Sequence, residues 1–232
     1  MASASRTAPR LDIISIGTLS RNRLWAESDA RRTAHATTAL IRTTDRAILI
    51  DPGLPPPALA ARLFERTGLS PDRVDTVFLT NFRPAHRAGL SLFTKAKVLM
   101  HQLEIEFARA DLDRLLEEAP EQDEDAKLMR QELKLLDAVQ SPEDRLVDGV
   151  DLFPLFGYTP GTCGLLVASP TTTTLISGDA VPTYDHFLAG QVLPDAKDIA
   201  AAQESMREVY EIADLIVPGH DNLFLNPRSQ GM

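Results

Sequence analysis

The sequence predicts an α/β sandwich assembled from two similar halves. Apolar residues come in short blocks of strand length, and the blocks alternate with helical patterns as strands, helix, strand, helices, strands, helix, strand. No Gly/Ser linker and no solenoid-length repeat interrupts the 232 residues, so one domain over 1–232 is expected.

The first strand is Leu11-Asp-Ile-Ile-Ser-Ile-Gly17, followed by an irregular stretch carrying Arg21, Arg23, Arg31 and Arg32. Ala36 to Thr43 and Ala47 to Ile50 read as a hairpin of β-branched and apolar residues that ends at Asp51-Pro-Gly53, a turn signal. Pro56 and Pro57 suit the first turn of a helix through Thr67, with Leu59, Leu63 and Phe64 as its apolar positions. Ser70-Pro-Asp starts a short turn, and Val74 to Thr80 is a buried strand because its apolar residues bunch instead of alternating. A helix from Pro84 to Phe93 leads to a strand at Lys97 to Met100.

Residues 102–140 form an acidic helical insert. Leu112, Leu115 and Leu116 mark one apolar stripe, Leu128, Leu135, Leu136 and Val139 another, and Pro120 breaks the pair. Strands are expected at Asp151 to Phe156, Gly164 to Ala168 and Thr173 to Ser177, then a helix from Asp198 to Ala213 and a strand from Asp214 to Val217.

With 24 Lys plus Arg against 33 Asp plus Glu, the net charge is −9, which argues against a nucleic-acid partner. No stretch approaches the roughly 20 apolar residues of a membrane span. Met-Ala-Ser-Ala-Ser-Arg lacks the apolar run of a signal peptide, so the expectation is a soluble, cytoplasmic protein without a membrane partner. Cys163 is the one cysteine, an inert core thiol by its setting, so a metal would rest on His, Asp or Glu.

In α/β proteins reactive groups collect beyond the carboxyl ends of strands. Three such loops here carry ionisable groups: Thr80-Asn-Phe-Arg-Pro-Ala-His-Arg-Ala-Gly89, Ser177-Gly-Asp179 and Pro218-Gly-His220-Asp221. Together with Leu49-Ile-Asp-Pro-Gly53 and Gly157-Tyr-Thr-Pro-Gly-Thr162, they stand in the order of the motifs of the metallo-β-lactamase superfamily. The chain resembles that family from about Ala36 to Leu223. The resemblance implies a four-layer αβ/βα sandwich with a metal site at these loops.

In the family one metal seat uses three His, which fall here on Asn81, Arg83 and Tyr158, none a good zinc ligand. The other seat uses an Asp and two His, which fall on Ala85, His86 and His220, and the carboxylate bridging both seats falls on Asp179. The resemblance thus leaves His86, Asp179 and His220 as a half-site, able to hold one Zn²⁺, Mn²⁺ or Fe²⁺ or to stand without metal. Arg83 is expected near the vacated seat, paired with Asp179, or binding a ligand anion, or steadying an oxyanion. Tyr158 and Tyr184 are the further catalytic candidates, since lactone-cleaving relatives use a pocket tyrosine.

Several residues also have plain structural readings. Asp51 serves a tight turn, His86 could cap a helix, and Asp179 could cap the turn after its strand. His35, His101 and His186 are read as surface or packing residues. The insert covers the pocket or meets a second copy in a homodimer, or is simply a solvated pair of helices. Two functions follow. The first is a pseudo-hydrolase that cannot assemble the binuclear centre and binds a small-molecule ligand or a partner. The alternative is a mononuclear metal-dependent hydrolase of a small ester, lactone, thioester or phosphoester.

Overall fold

The structure is a computed structural model that describes residues 8–120 and 124–230. Two six-stranded sheets lie face to face. The first contains β1 (Arg10–Ser15), β2 (Thr38–Arg42), β3 (Ala47–Ile50), β4 (Thr76–Leu79), β5 (Lys97–Met100) and β6 (Val139–Gln140), paired in chain order. Its first three strands are antiparallel, and β3 to β6 run parallel. Parallel neighbours need crossovers, supplied by α1 (Pro56–Thr67), α2 (Pro84–Arg87), and α3 (Gln102–Glu118) with α4 (Glu124–Asp137).

The second sheet runs β7 (Arg145–Val147), β8 (Val150–Pro154), β9 (Cys163–Ala168), β10 (Thr173–Gly178), β11 (Leu215–Pro218) and β12 (Phe224–Leu225). Its single parallel pair, β10 with β11, is bridged by α5 (Tyr184–Ala189) and α6 (Ile199–Ile212).

The strands are apolar throughout because both faces of each sheet are covered. In β3, Ile48 and Ile50 point between the sheets, whereas Ala47 and Leu49 point outward to the helices. Phe78 of β4 meets Cys163, Leu165 and Ile176 in the inner layer, while Val77 and Leu79 join Leu59, Leu63 and Leu136 outside. On the far side Leu175 and Ile216 pack with Met206 and Val209 of α6. The order is helices, sheet, sheet, helices, the expected αβ/βα sandwich. Each fully buried Leu, Ile or Phe contributes about 1.5–3 kcal/mol. Among the described residues no helix is long and apolar enough to cross a membrane.

The structure departs from the sequence reading in places. The Pro84 to Phe93 helix is one turn, α2, followed by a separate 3₁₀ turn at Leu90–Leu92, because the Gly89 amide turns away to the Pro52 carbonyl at 2.8 Å. Phe64 is 65% exposed and Leu128 56% exposed, so neither belongs to a buried stripe, and Val139 lies in β6 instead of a helix. The short strands β6, β7 and β12 and helix α5 were not expected.

The acidic helices do not roof the cleft described below. They pack on the outer face of the first sheet through Ile105, Ala108, Leu112, Leu135 and Leu136, and among the described residues none of theirs lines that cleft.

Candidate metal centre

The parallel pairs β3–β4 and β10–β11 each bring two carboxyl ends to one edge, and the sheets stack so that these edges meet. Main-chain hydrogen bonds join them there, Thr37 N–H to the Gly219 carbonyl at 2.7 Å and Cys163 N–H to Thr80 at 3.0 Å, while Ala36 N–H to Ala85 at 2.8 Å ties together two loops of the first sheet. Gly178 ends β10 at φ 52°, and a Cβ there would lie 2.4 Å from Thr80 Oγ1. Only glycine lets the Ser-Gly-Asp turn come this close.

His86, Asp179 and His220 converge at this edge, all buried, and they offer ligand atoms within 4.8 Å of one another. His86 Nε2 lies 2.9 Å from Asp179 Oδ2, and His220 Nε2 lies 3.0 Å from Asp179 Oδ1. The opposite ring nitrogens are anchored. His86 Nδ1 lies 2.9 Å from Asp51 Oδ2, and His220 Nδ1 donates to the His35 carbonyl at 3.0 Å.

Asp51 is itself held in place. The Thr80 amide and hydroxyl donate to its two oxygens at 2.9 and 2.7 Å, and its backbone sits at φ 49°, a conformation most side chains avoid. Asn81 Nδ2 donates to Asp179 Oδ2 at 3.0 Å.

Burial works against a charged His86 ring, but the Asp179 and Asp51 carboxylates outweigh it and raise the pKa to about 10. Burial likewise opposes the Asp179 charge, yet His86 and His220 hold this carboxyl well below its usual range.

The donor set fits a divalent cation. Anchoring each Nδ1–H presents Nε2 as the lone-pair atom of the neutral ring, the arrangement that orients metal-binding histidines. Asp179 Oδ1 is buried, and its 3.0 Å contact with the His220 ring lies off good hydrogen-bond geometry, an arrangement that a cation between them would complete. Two imidazoles and one carboxylate suit zinc, manganese or ferrous iron.

The centre opens into a cleft of about 590 Å³, whose lining includes Arg21, Arg23, Arg83, Tyr158, His186 and Asp195. Arg83 does not reach Asp179. Its Nη2 lies 3.7 Å from Asp195 Oδ2 and its guanidinium lies over the Tyr158 ring at 5.2 Å, so the expected Arg83–Asp179 pair is replaced by one with Asp195. Burial, and then the nearby Asp179 charge, push the Tyr158 phenol up, which keeps it protonated and able to donate. Ala85 lines the cleft without a ligating group.

A model of the metallo-β-lactamase superfamily matches residues 32–220. The chain belongs to the metallo-β-lactamase superfamily. A comparison with curated protein sequences finds no match. Among solved structures, the dizinc quorum-quenching lactonase AidC, in complex with a product, is similar at TM-score 0.67 and 17% identity over 82% of this chain and 74% of AidC. A variant of AiiA from B. thuringiensis with N-decanoyl-L-homoserine at its active site gives 0.65 and 20% over 94% of each chain. The hydrolase AbOPH gives 0.63 and 15% over 95% of this chain and 91% of its own. At these identities the likeness shows the metallo-β-lactamase fold alone.

Of the superfamily positions read from the sequence, Asn81, Arg83, Ala85, His86, Tyr158, Asp179 and His220 all lie at this centre or its cleft. Tyr184 does not line the cleft. Its ring packs against Phe224 at 4.9 Å between centroids, and its amide donates to Asp221.

Two residues escaped the sequence reading. Asp51, assigned to a turn, is the anchor of His86. His186, assigned to surface or packing, is 4% exposed and faces the cleft, with Nδ1 2.8 Å from Thr183 Oγ1. Burial lowers its pKa, which favours the neutral ring. The one available signal was the Thr-x-x-His spacing of a capped helix start. His35 supplies a carbonyl to His220, and His101 caps α3 by accepting from the Leu103 amide.

Proposed function

We propose that this superfamily member is a hydrolase working with one divalent metal, Zn²⁺, Mn²⁺ or Fe²⁺, held by His86, Asp179 and His220. The observation that carries this reading is the anchoring of both histidines. Asp51 and the His35 carbonyl each fix an Nδ1–H, so both Nε2 atoms turn to the same carboxylate. Such an ion would supply Lewis acidity and a water nucleophile near neutral pH.

The chain's own residues supply the rest. Asn81 donates to Asp179 and steadies its orientation. Arg83 brings a fixed positive charge where the family's second seat would be, suited to stabilising an oxyanion as charge develops. Tyr158 can donate a hydrogen bond to a leaving group or carbonyl, and His186 offers a neutral imidazole at the cleft wall. The reactions that fit are cleavage of a small ester, lactone, thioester or phosphoester.

A second reading, a pseudo-hydrolase that binds a ligand or partner, is favoured by one observation. His86 lies between two carboxylates and offsets part of their charge without a metal. Plasma mass spectrometry on untagged protein, purified without chelator and then offered Zn²⁺, Mn²⁺ and anaerobic Fe²⁺, separates the two readings. About one tightly held ion per chain, lost in Asp179→Asn or His220→Ala, supports the hydrolase and directs a substrate screen. No stoichiometric ion under any condition removes it and leaves the pseudo-hydrolase.

A further inference from the structure

The stretch between β1 and β2 forms part of the cleft wall and is built to hold a fixed shape. Asn22 is buried and its side chain caps the 3₁₀ turn Arg23–Trp25 by accepting from the Leu24 amide at 3.0 Å. Glu27 accepts from the Asn22 amide at 2.6 Å and pairs with Arg32. Trp25 Nε1 donates to Asp185 at 2.6 Å, tying the turn to α5.

Arg21 and Arg23 flank the buried Asn22 and line the cleft. Arg32 is neutralised by Glu27, but Arg21 and Arg23 make no ion pair among the described residues. Arg21 instead donates to the Ser28 carbonyl at 3.1 Å. Arg83 stands at the same cleft with side-chain exposure of 40%, and its partner Asp195, at 3.7 Å, is 60% exposed, a loose pair that an incoming anion can displace. Asp179 is already engaged by His86, His220 and Asn81.

This cationic mouth belongs to a chain of net charge −9. The lining sets Arg21, Arg23 and Arg83 against the carboxylates Asp179 and Asp195, so the positive excess is local, and such an excess raises the local concentration of anions. Guanidinium groups match the planar, multi-oxygen face of carboxylate and phosphate. The Arg83 guanidinium also lies over the Tyr158 ring at 5.2 Å, a cation–π contact that helps hold it at the cleft.

We propose that the cleft recognises an anionic group of its substrate, a phosphate or a carboxylate, through Arg83, Arg21 and Arg23. As a statement about substrate this rests on the one-metal hydrolase reading and narrows it to anionic esters or lactones. Anion binding itself needs only the arginines.

The test is calorimetric titration with inorganic phosphate and, separately, succinate, on protein freed of metal by chelation and dialysis. Saturable binding of one anion per chain that weakens as salt is raised is expected, and the tighter of the two identifies the group. Arg83→Gln and the double variant Arg21→Gln/Arg23→Gln should each weaken binding by at least about tenfold, the effect of losing a charge-assisted contact. Unchanged melting curves for these exposed positions verify folding. No saturable binding of either anion, or binding that either variant leaves unchanged, overturns the proposal. Because the protein carries no metal here, arginine-dependent anion binding alongside failed metal uptake removes the hydrolase reading and leaves this one standing.

Discussion

The imidazole of His86 bridges Asp51 and Asp179, lying 2.9 Å from an oxygen of each. The bridge links a residue at the end of β3, whose backbone is held in an unusual conformation, to the carboxylate at the end of β10. The two sheets are thereby joined through one ring at the point where chemistry is proposed.

If Asp51 sets the tautomer of His86, removing its charge should loosen the metal without touching a ligand. Asp51→Asn should lower zinc affinity by about 10–100-fold, the usual effect of losing such an outer partner. Competition against a fluorescent chelator measures it. Wild-type affinity in Asp51→Asn would reduce Asp51 to a turn residue.

The same bridge makes the metal-free protein sensitive to pH. His86 has its pKa raised from 6.5 to about 10 by folding, so its contribution is complete below about 6.5 and is lost as pH rises toward 10. Asp179 is shifted the other way, so its contribution is present above about 3.8 and is lost as pH falls below that. Urea unfolding of metal-free protein should therefore show greatest stability between about pH 4 and 6.5 and a decline on the alkaline side. His86→Gln should flatten the alkaline limb. An alkaline decline of the same size in His86→Gln would assign it to other groups.

Glu104 of α3 is nearly inaccessible and ties the acidic helices to the loops around the centre. It accepts from the Phe82 amide at 3.0 Å and from the Thr159 hydroxyl. Burial raises its pKa against the pull of the Thr159, Phe82 and Gly161 hydrogen bonds. Glu104→Ala strands these donors and should cost about 1–3 kcal/mol for each group left unsatisfied. Glu104→Gln, which keeps the shape and one acceptor, should cost less. Equal melting temperatures for the wild type and Glu104→Ala would show that the link is not stabilising.

The parts of the fold legible in the sequence were those with a period long enough to read. Ala47 to Ile50 announced itself as an apolar run and Thr173 to Ser177 as a β-branched stretch, whereas β6 and β12, two residues each, contain no pattern at all. Helix α5 is only six residues long and depends on the Thr183 cap.

At the site, His86, Asp179 and His220 were found because each follows a strand end in a motif of fixed order. Asp51 was not, because Asp-Pro-Gly reads as a turn whether or not its carboxylate faces inward. Arg83 was expected on Asp179 from proximity in the motif. Its actual partner Asp195 is remote in sequence, and Tyr184 turned to Phe224 instead of the cleft. Rotamer choice across distant loops leaves no mark on local pattern.

The arginine-bearing turn also carries the one tryptophan of the chain. Trp25 is solvent-accessible, bonded through its indole N–H to Asp185 and lying under the Arg32 guanidinium at 5.4 Å. All intrinsic indole emission therefore arises at the cleft's edge. The protein carries a built-in optical reporter there, and any ligand that shifts the turn against α5 will change its fluorescence without a label.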